Sequence, residues 1–75
     1  MASELRNGSA GPAVRALQGQ LAGLGYDIGR WGADGALGRD TLAAVRDFEE
    51  DRGLPVTADA IPAITIAALA AAYDR

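Results

Sequence analysis

The chain has no cysteine and no histidine. Those two absences remove disulfide frameworks, thiolate nucleophiles, imidazole bases and nearly all zinc sites. A metal would have carboxylates alone to hold it, so neither a metal centre nor a cofactor is expected. Lysine is absent as well: all seven positive charges are arginines, set against ten acids, for a net charge of −3. Nucleic-acid binding depends on neutralising phosphates, so nucleic acid is not an expected partner. Aromatic residues make up only 5% of the chain, which leaves aliphatic side chains to build the core. Long apolar runs are missing too. The most apolar stretch, Ala60 to Tyr73, is interrupted by Pro62 and Thr65. It falls short of the roughly 18 residues that a bilayer span needs, so it reads as a core helix and no membrane partner is expected. The opening stretch from Met1 to Gly8 has neither the basic start nor the apolar run of an export signal. The expectation is synthesis in the cytoplasm without a signal peptide.

What is present describes a small folded domain. Apolar residues form 49% of the 75-residue chain and charged residues 23%, and a chain of this length has room for one core, so residues 1–75 read as a single domain. A first helix is predicted over about 12–24. Pro12 suits the first helical position, where its missing N–H would be unpaired anyway. Val14, Leu17, Leu21 and Leu24 then form one apolar stripe at helical period, and Gly25 ends it. Five glycines between Gly25 and Gly38, with Asp27 and Asp34, argue for a long loop of tight turns, of which Asp34-Gly35 is the sharpest. A second helix is predicted over 39–52, with Leu42, Val45 and Phe48 buried and Gly53 as its stop. The third is predicted over 62–73, presenting Ile66, Leu69 and Tyr73 to the core, with Ile61 and Ile64 packing at its start. The fold class is therefore all-α: a small three-helix bundle with a long Gly-rich loop between helices 1 and 2. Ala13 to Gln18 echoes Ala44 to Glu49, either as a faint duplication or because two amphipathic helices of one bundle converge on one pattern.

Together these residues carry a resemblance that spans nearly the whole chain. The ordered series runs through Leu5-Arg6, Gly8-Ser9, Gly11-Pro12, Val14, Leu17-Gln18, Leu21 and Leu24-Gly25-Tyr26. It continues through Asp34-Gly35, Leu37-Gly38, Thr41, Ala44-Val45, Phe48, Gly53-Leu54, Thr57, Thr65 and Ala68-Leu69. In that order and spacing the chain resembles the peptidoglycan-binding domain attached to bacterial cell-wall hydrolases and phage endolysins. The resemblance implies a non-catalytic three-helix module that grips glycan strands or stem peptides and concentrates an attached enzyme on the cell wall. The chain departs from the family pattern at Glu49, where a glutamine is usual, in the longer loop Gly29 to Ala33, at Ala58 in place of a glycine, and at Pro62 with one residue added before it.

Carbohydrate binding calls for an aromatic face to stack on a sugar ring, arginines to hold carboxylates, and polar groups for acetamido bonds. The loop from Tyr26 to Arg39 offers all three. The candidate ligand-binding residues are Tyr26, Arg30, Trp31, Asp34, Gly35 and Arg39, with Trp31 beside Arg30 foremost. Arg39 stands at a helix start, where its charge opposes the dipole. Gln18 and Asp34 also have structural readings, as a loop cap and as a turn residue that bonds its own backbone. Thr41 and Thr65 lie near helix starts and read as caps. The acidic run Asp47, Glu49, Glu50 and Asp51 reads as a solvated helix face, since hydrolysis needs two acids facing each other across a cleft. Ser9 and Thr41 have no histidine to activate them, so no catalytic residue is expected. A second reading is a structural subunit of a phage tail or contractile injection particle. It would use the same fold to dock on proteins and the wall, with Ile61 to Ile64 as the docking patch.

Overall fold

The computed structural model describes residues 5–74. Met1 to Glu4, which belong to the stretch read for an export signal, lie outside the described residues, as does Arg75. In chain order the elements are β1 (Leu5–Arg6), α1 (Pro12–Gly23), α2 (Arg39–Arg52), β2 (Ala60–Ile61) and α3 (Ala63–Tyr73). The three helices pack around one core in which Val14, Leu21, Val45, Phe48, Ile61 and Leu69 are essentially sealed from solvent. Two short pairings fasten the approaches to the helices. β1 runs antiparallel to β2, pairing Leu5 with Ile61 and Arg6 with Ala60, and an isolated bridge joins Ala10 to Ala36.

The helix starts and stops follow from local chemistry. Pro12 opens α1 as its first residue. At its end the Gly25 amide donates to the Ala22 carbonyl and the Tyr26 amide to Leu21. Gly25 has φ +96°, the left-handed geometry that lets a chain leave a helix while pairing its last carbonyls. Helix α2 ends in the same way: Gly53 has φ +70°, and the Leu54 amide donates to the Glu49 carbonyl at 2.8 Å.

Helix α3 differs from its sequence-based reading. Pro62 is its cap and Ala63 its first residue. Ile61 belongs to β2 and is fully buried, whereas Ile64 is 58% exposed and Tyr73 51% exposed. Ile64 precedes Leu69 by five residues, about 140° around the helix from it, so it faces away from the core. The stretch Ile61 to Ile64 is therefore not one exposed patch, because its first residue fills the interior. Tyr73 lies against Gly23 of α1, where a Cβ would come within 2.5 Å of its ring.

The acidic run on α2 also divides. Asp47, Glu50 and Asp51 are exposed, but Glu49 is fully buried. Its Oε1 accepts the Thr57 amide at 2.7 Å, and its Oε2 accepts the hydroxyls of Thr57 and, at 2.7 Å, Thr65. Glu49 follows Val45 by four residues and Phe48 by one, so helical geometry places it on the core stripe rather than on the solvated face expected of it. Thr65 and Thr41 are each the third residue of a helix. The cap positions are Gly38 and Pro62, which have no side chain able to cap, and both threonine hydroxyls turn inward to a buried partner instead. The echo between α1 and α2 thus has a physical counterpart. Gln18 and Glu49, at matching positions, each tie the loop that follows their helix to a threonine at the third position of the next helix.

A candidate peptidoglycan site beside the Asp34-Gly35 turn

The connection from Leu24 to Gly38 has no regular structure, and what shapes it is a set of buried anchors. Ile28 is 8% exposed and plugs the loop into the core. The Asp27 side chain accepts the Gly29 amide at 2.9 Å, and the Gly32 amide donates to the Gly29 carbonyl at 3.2 Å. At Gly29, φ is +92° and an added Cβ would lie 2.8 Å from the Asp40 Cβ, so this turn requires glycine on both conformational and steric grounds. The turn lifts Trp31 away from the protein. Its ring is 73% exposed, and the Arg30 guanidinium lies 5.4 Å from the ring centroid, a cation–π arrangement.

Gln18 organises the second half of the loop. Although 1% exposed, it has both ends of its amide engaged. Oε1 accepts the Gly35 amide at 2.8 Å, while Nε2 lies 3.0 Å from the Ala36 carbonyl, 3.0 Å from Thr41 Oγ1 and 3.2 Å from Asp34 Oδ1. Asp34 Oδ1 also accepts the Ala36 amide at 3.0 Å. That amide, followed by the Gln18 side chain, holds the Asp34 carboxyl below the usual carboxylate range. Gly35 has φ +82° and its carbonyl accepts the Gly11 amide at 2.9 Å.

Between this turn and the start of α2 lies a cleft of about 260 Å³. Trp31, Asp34 and Arg39 line it together with Ile28, Asp40 and Thr41. Arg30 stands beside it on the Trp31 ring, and Gly35 lies under the turn, its amide taken by Gln18. Tyr26 sits elsewhere. Its ring meets Phe48 edge-on at 5.9 Å, and its hydroxyl donates to Asp51 Oδ2 at 2.6 Å. That bond, aided by burial, raises the Tyr26 pKa above its ordinary value. Sequence reasoning left Ile28, Asp40 and Thr41 out of the site, and it read Gln18 as a loop cap, the role its bonds to Gly35 and Ala36 give it. The available signal was a glutamine directly after Leu17 on the apolar stripe of α1, since a buried amide there must find partners nearby. No group of three or more acidic side chains able to hold a metal occurs among the described residues.

The three-helix bundle thus displays Trp31 and Arg30 on a loop that Gln18 pins to Thr41 and to the Asp34-Gly35 turn. The peptidoglycan-binding domain family matches residues 10–60, and the chain belongs to that family: it is a peptidoglycan-binding module that acts at the cell wall. It is similar to the N-acetylmuramoyl-L-alanine amidase CwlL of Bacillus licheniformis, with 37% identity over 52 residues, 69% of this chain and 14% of the relative. It is also similar to the type VI secretion system spike protein VgrG3 of Vibrio cholerae serotype O1, with 41% identity over 49 residues, 65% of this chain and 5% of the relative. The chain therefore spans only a small fraction of the length of these curated relatives. Among solved structures, the SleB N-terminal domain superposes with a TM-score of 0.82 and 34% identity, covering 93% of this chain and 92% of that one. The family match ends within β2, whereas the likeness to SleB covers 93% of the chain and so reaches into α3.

Proposed function

We propose that residues 1–75 form a single non-catalytic module that grips peptidoglycan through the cleft beside the Asp34-Gly35 turn. Trp31 stacks on a sugar ring, Arg30 and Arg39 pair with wall carboxylates, and Asp34 accepts a bond from an amide or hydroxyl of the ligand. Gly35 shapes the turn, and Tyr26 supports the loop through its contact with Phe48. The observation that carries this reading is the exposure of Trp31: 73% of a tryptophan is left in water at the mouth of a cleft, an unfavourable position that a sugar face would relieve. Glu49 takes no part in this reading, since it is fully buried and its two oxygens are enclosed by threonine donors, beyond the reach of a substrate.

A second reading has one observation in its favour, the similarity to a type VI secretion spike protein. In it the module rides on an injection particle and docks on particle proteins as well as on the wall. Sedimentation with insoluble peptidoglycan separates the two. The wall module sediments alone, and Trp31→Ala and Arg39→Ala reduce the bound fraction. A chain that is found in a particle and never sediments with walls supports the second reading.

A further inference from the structure

The Asp34-Gly35 turn has a second concavity on its other side, of about 630 Å³ against about 260 Å³ for the Trp31 cleft. It lies between the start of α1 and the turn, and its walls are small: Ala10, Pro12, Ala16 and Ala36 supply short apolar surfaces. Two charges, Arg15 and Asp34, face into the same space. Arg15 is exposed and its charge helps to hold the Asp34 carboxyl in its ionised form, while among the described residues its guanidinium forms no salt bridge or side-chain hydrogen bond. The Gly11 amide and the Gly35 carbonyl are bonded to each other at 2.9 Å, which fixes the floor and leaves the two charges as the polar groups available to a ligand.

The chemistry of this space differs from that of the Trp31 cleft. No aromatic face lines it, so a sugar ring has nothing to stack on. An exposed arginine pairs with a carboxylate in bidentate fashion, a carboxylate such as Asp34 accepts from an amide N–H, and walls of alanine and proline offer short apolar contacts to small side chains. A volume of this size is also within the range of about 300–1,000 Å³ typical of small-ligand sites.

We propose that this cavity binds the free carboxyl terminus of a short peptide of small residues, with Arg15 on the carboxylate and Asp34 on the penultimate amide. This rests on the wall-binding reading and extends it: the module would hold a glycan strand on one side of the turn and the end of a stem peptide on the other.

The test is a titration of the 75-residue chain, followed by amide NMR shifts, with N-acetyl-D-alanyl-D-alanine and with the same dipeptide amidated at its C-terminus. The free acid is expected to move the amides of Ala10, Ala16 and Ala36, and the amidated form to bind about tenfold more weakly or worse. Two variants at exposed positions accompany it. Arg15→Gln removes the cation and Ala16→Leu fills the space while retaining it. Both are expected to abolish the response, with the remaining amide spectrum confirming that they stay folded. Equal binding of acid and amide, shifts confined to the Trp31 loop, or no response to the acid would each overturn the cavity assignment. If the chain still sediments with walls in that case, the wall-binding reading stands and the cavity assignment alone falls. A response to the acid in a chain that does not sediment supports the carboxylate site and removes the wall-binding reading.

Discussion

At the scale of single residues, the organisation rests on two buried polar side chains that a reading of charge and hydropathy undervalues. Glu49 sits among three exposed acids, so its neighbours disguise it. Its position relative to Val45 and Phe48 was the better guide, and the Thr57 and Thr65 that receive it lie 8 and 16 residues away, out of reach of any local pattern. Glu49→Ala strands the Thr57 amide and leaves a cavity, and should destabilise the fold by about 2–4 kcal/mol. Glu49→Gln keeps an acceptor for that amide and can donate to the hydroxyl oxygens, so it should cost much less. Thermal melts decide this, and equal losses for both variants would contradict the network. Asp34 provides a pH test of the loop. Its folded carboxyl titrates below the unfolded value of about 3.9. It therefore contributes stability that is fully present above that value and is lost as pH falls through the lower folded one. Unfolding temperature measured from neutral pH into strong acid should show a step that Asp34→Asn removes.

At the scale of elements, the helices were legible because their signals are local. Pro12 and the two stop glycines mark the ends of α1 and α2, and the spacing of Val14, Leu17 and Leu21 marks a face. Helix α3 was harder. Its run of alanines presents no polar side, so periodicity cannot orient it, and the pairing of Ile61 with Leu5 in the sheet, together with the bond from Thr65 to Glu49, fixes which residues enter the core. In the loop from Leu24 to Gly38, the glycine content showed that turns occur but not which residue each turn presents. That depends on Ile28 as plug and on the close approach of Gly29 to Asp40. Gly29→Ala should therefore do more than strain the backbone. It is expected to lower stability by about 1–3 kcal/mol and to displace Trp31, so tryptophan fluorescence should change along with wall binding. An unchanged emission spectrum would mean that the turn does not position the ring.

At the scale of the whole molecule, one polar device is used twice. A buried Gln18 and a buried Glu49 each pin a loop to the helix that follows, and the pairings of Leu5 with Ile61 and Ala10 with Ala36 close the ends. This explains how 75 residues with few aromatics hold a long loop rigid enough to display Trp31. The family resemblance was legible because these scaffold positions carry it, whereas the proposed contacts of Arg30 and Trp31 lie on the loop where the chain departs from the family pattern. The central claim, that this scaffold exists to present the Trp31 cleft to the wall, is tested most directly by the dissociation constant of the chain for insoluble peptidoglycan, measured by sedimentation. Binding should weaken by about 2 kcal/mol, roughly thirtyfold, in Trp31→Ala, and by a smaller factor in Arg39→Ala, with melting temperatures unchanged. Wall affinity that is the same with and without the tryptophan would contradict it.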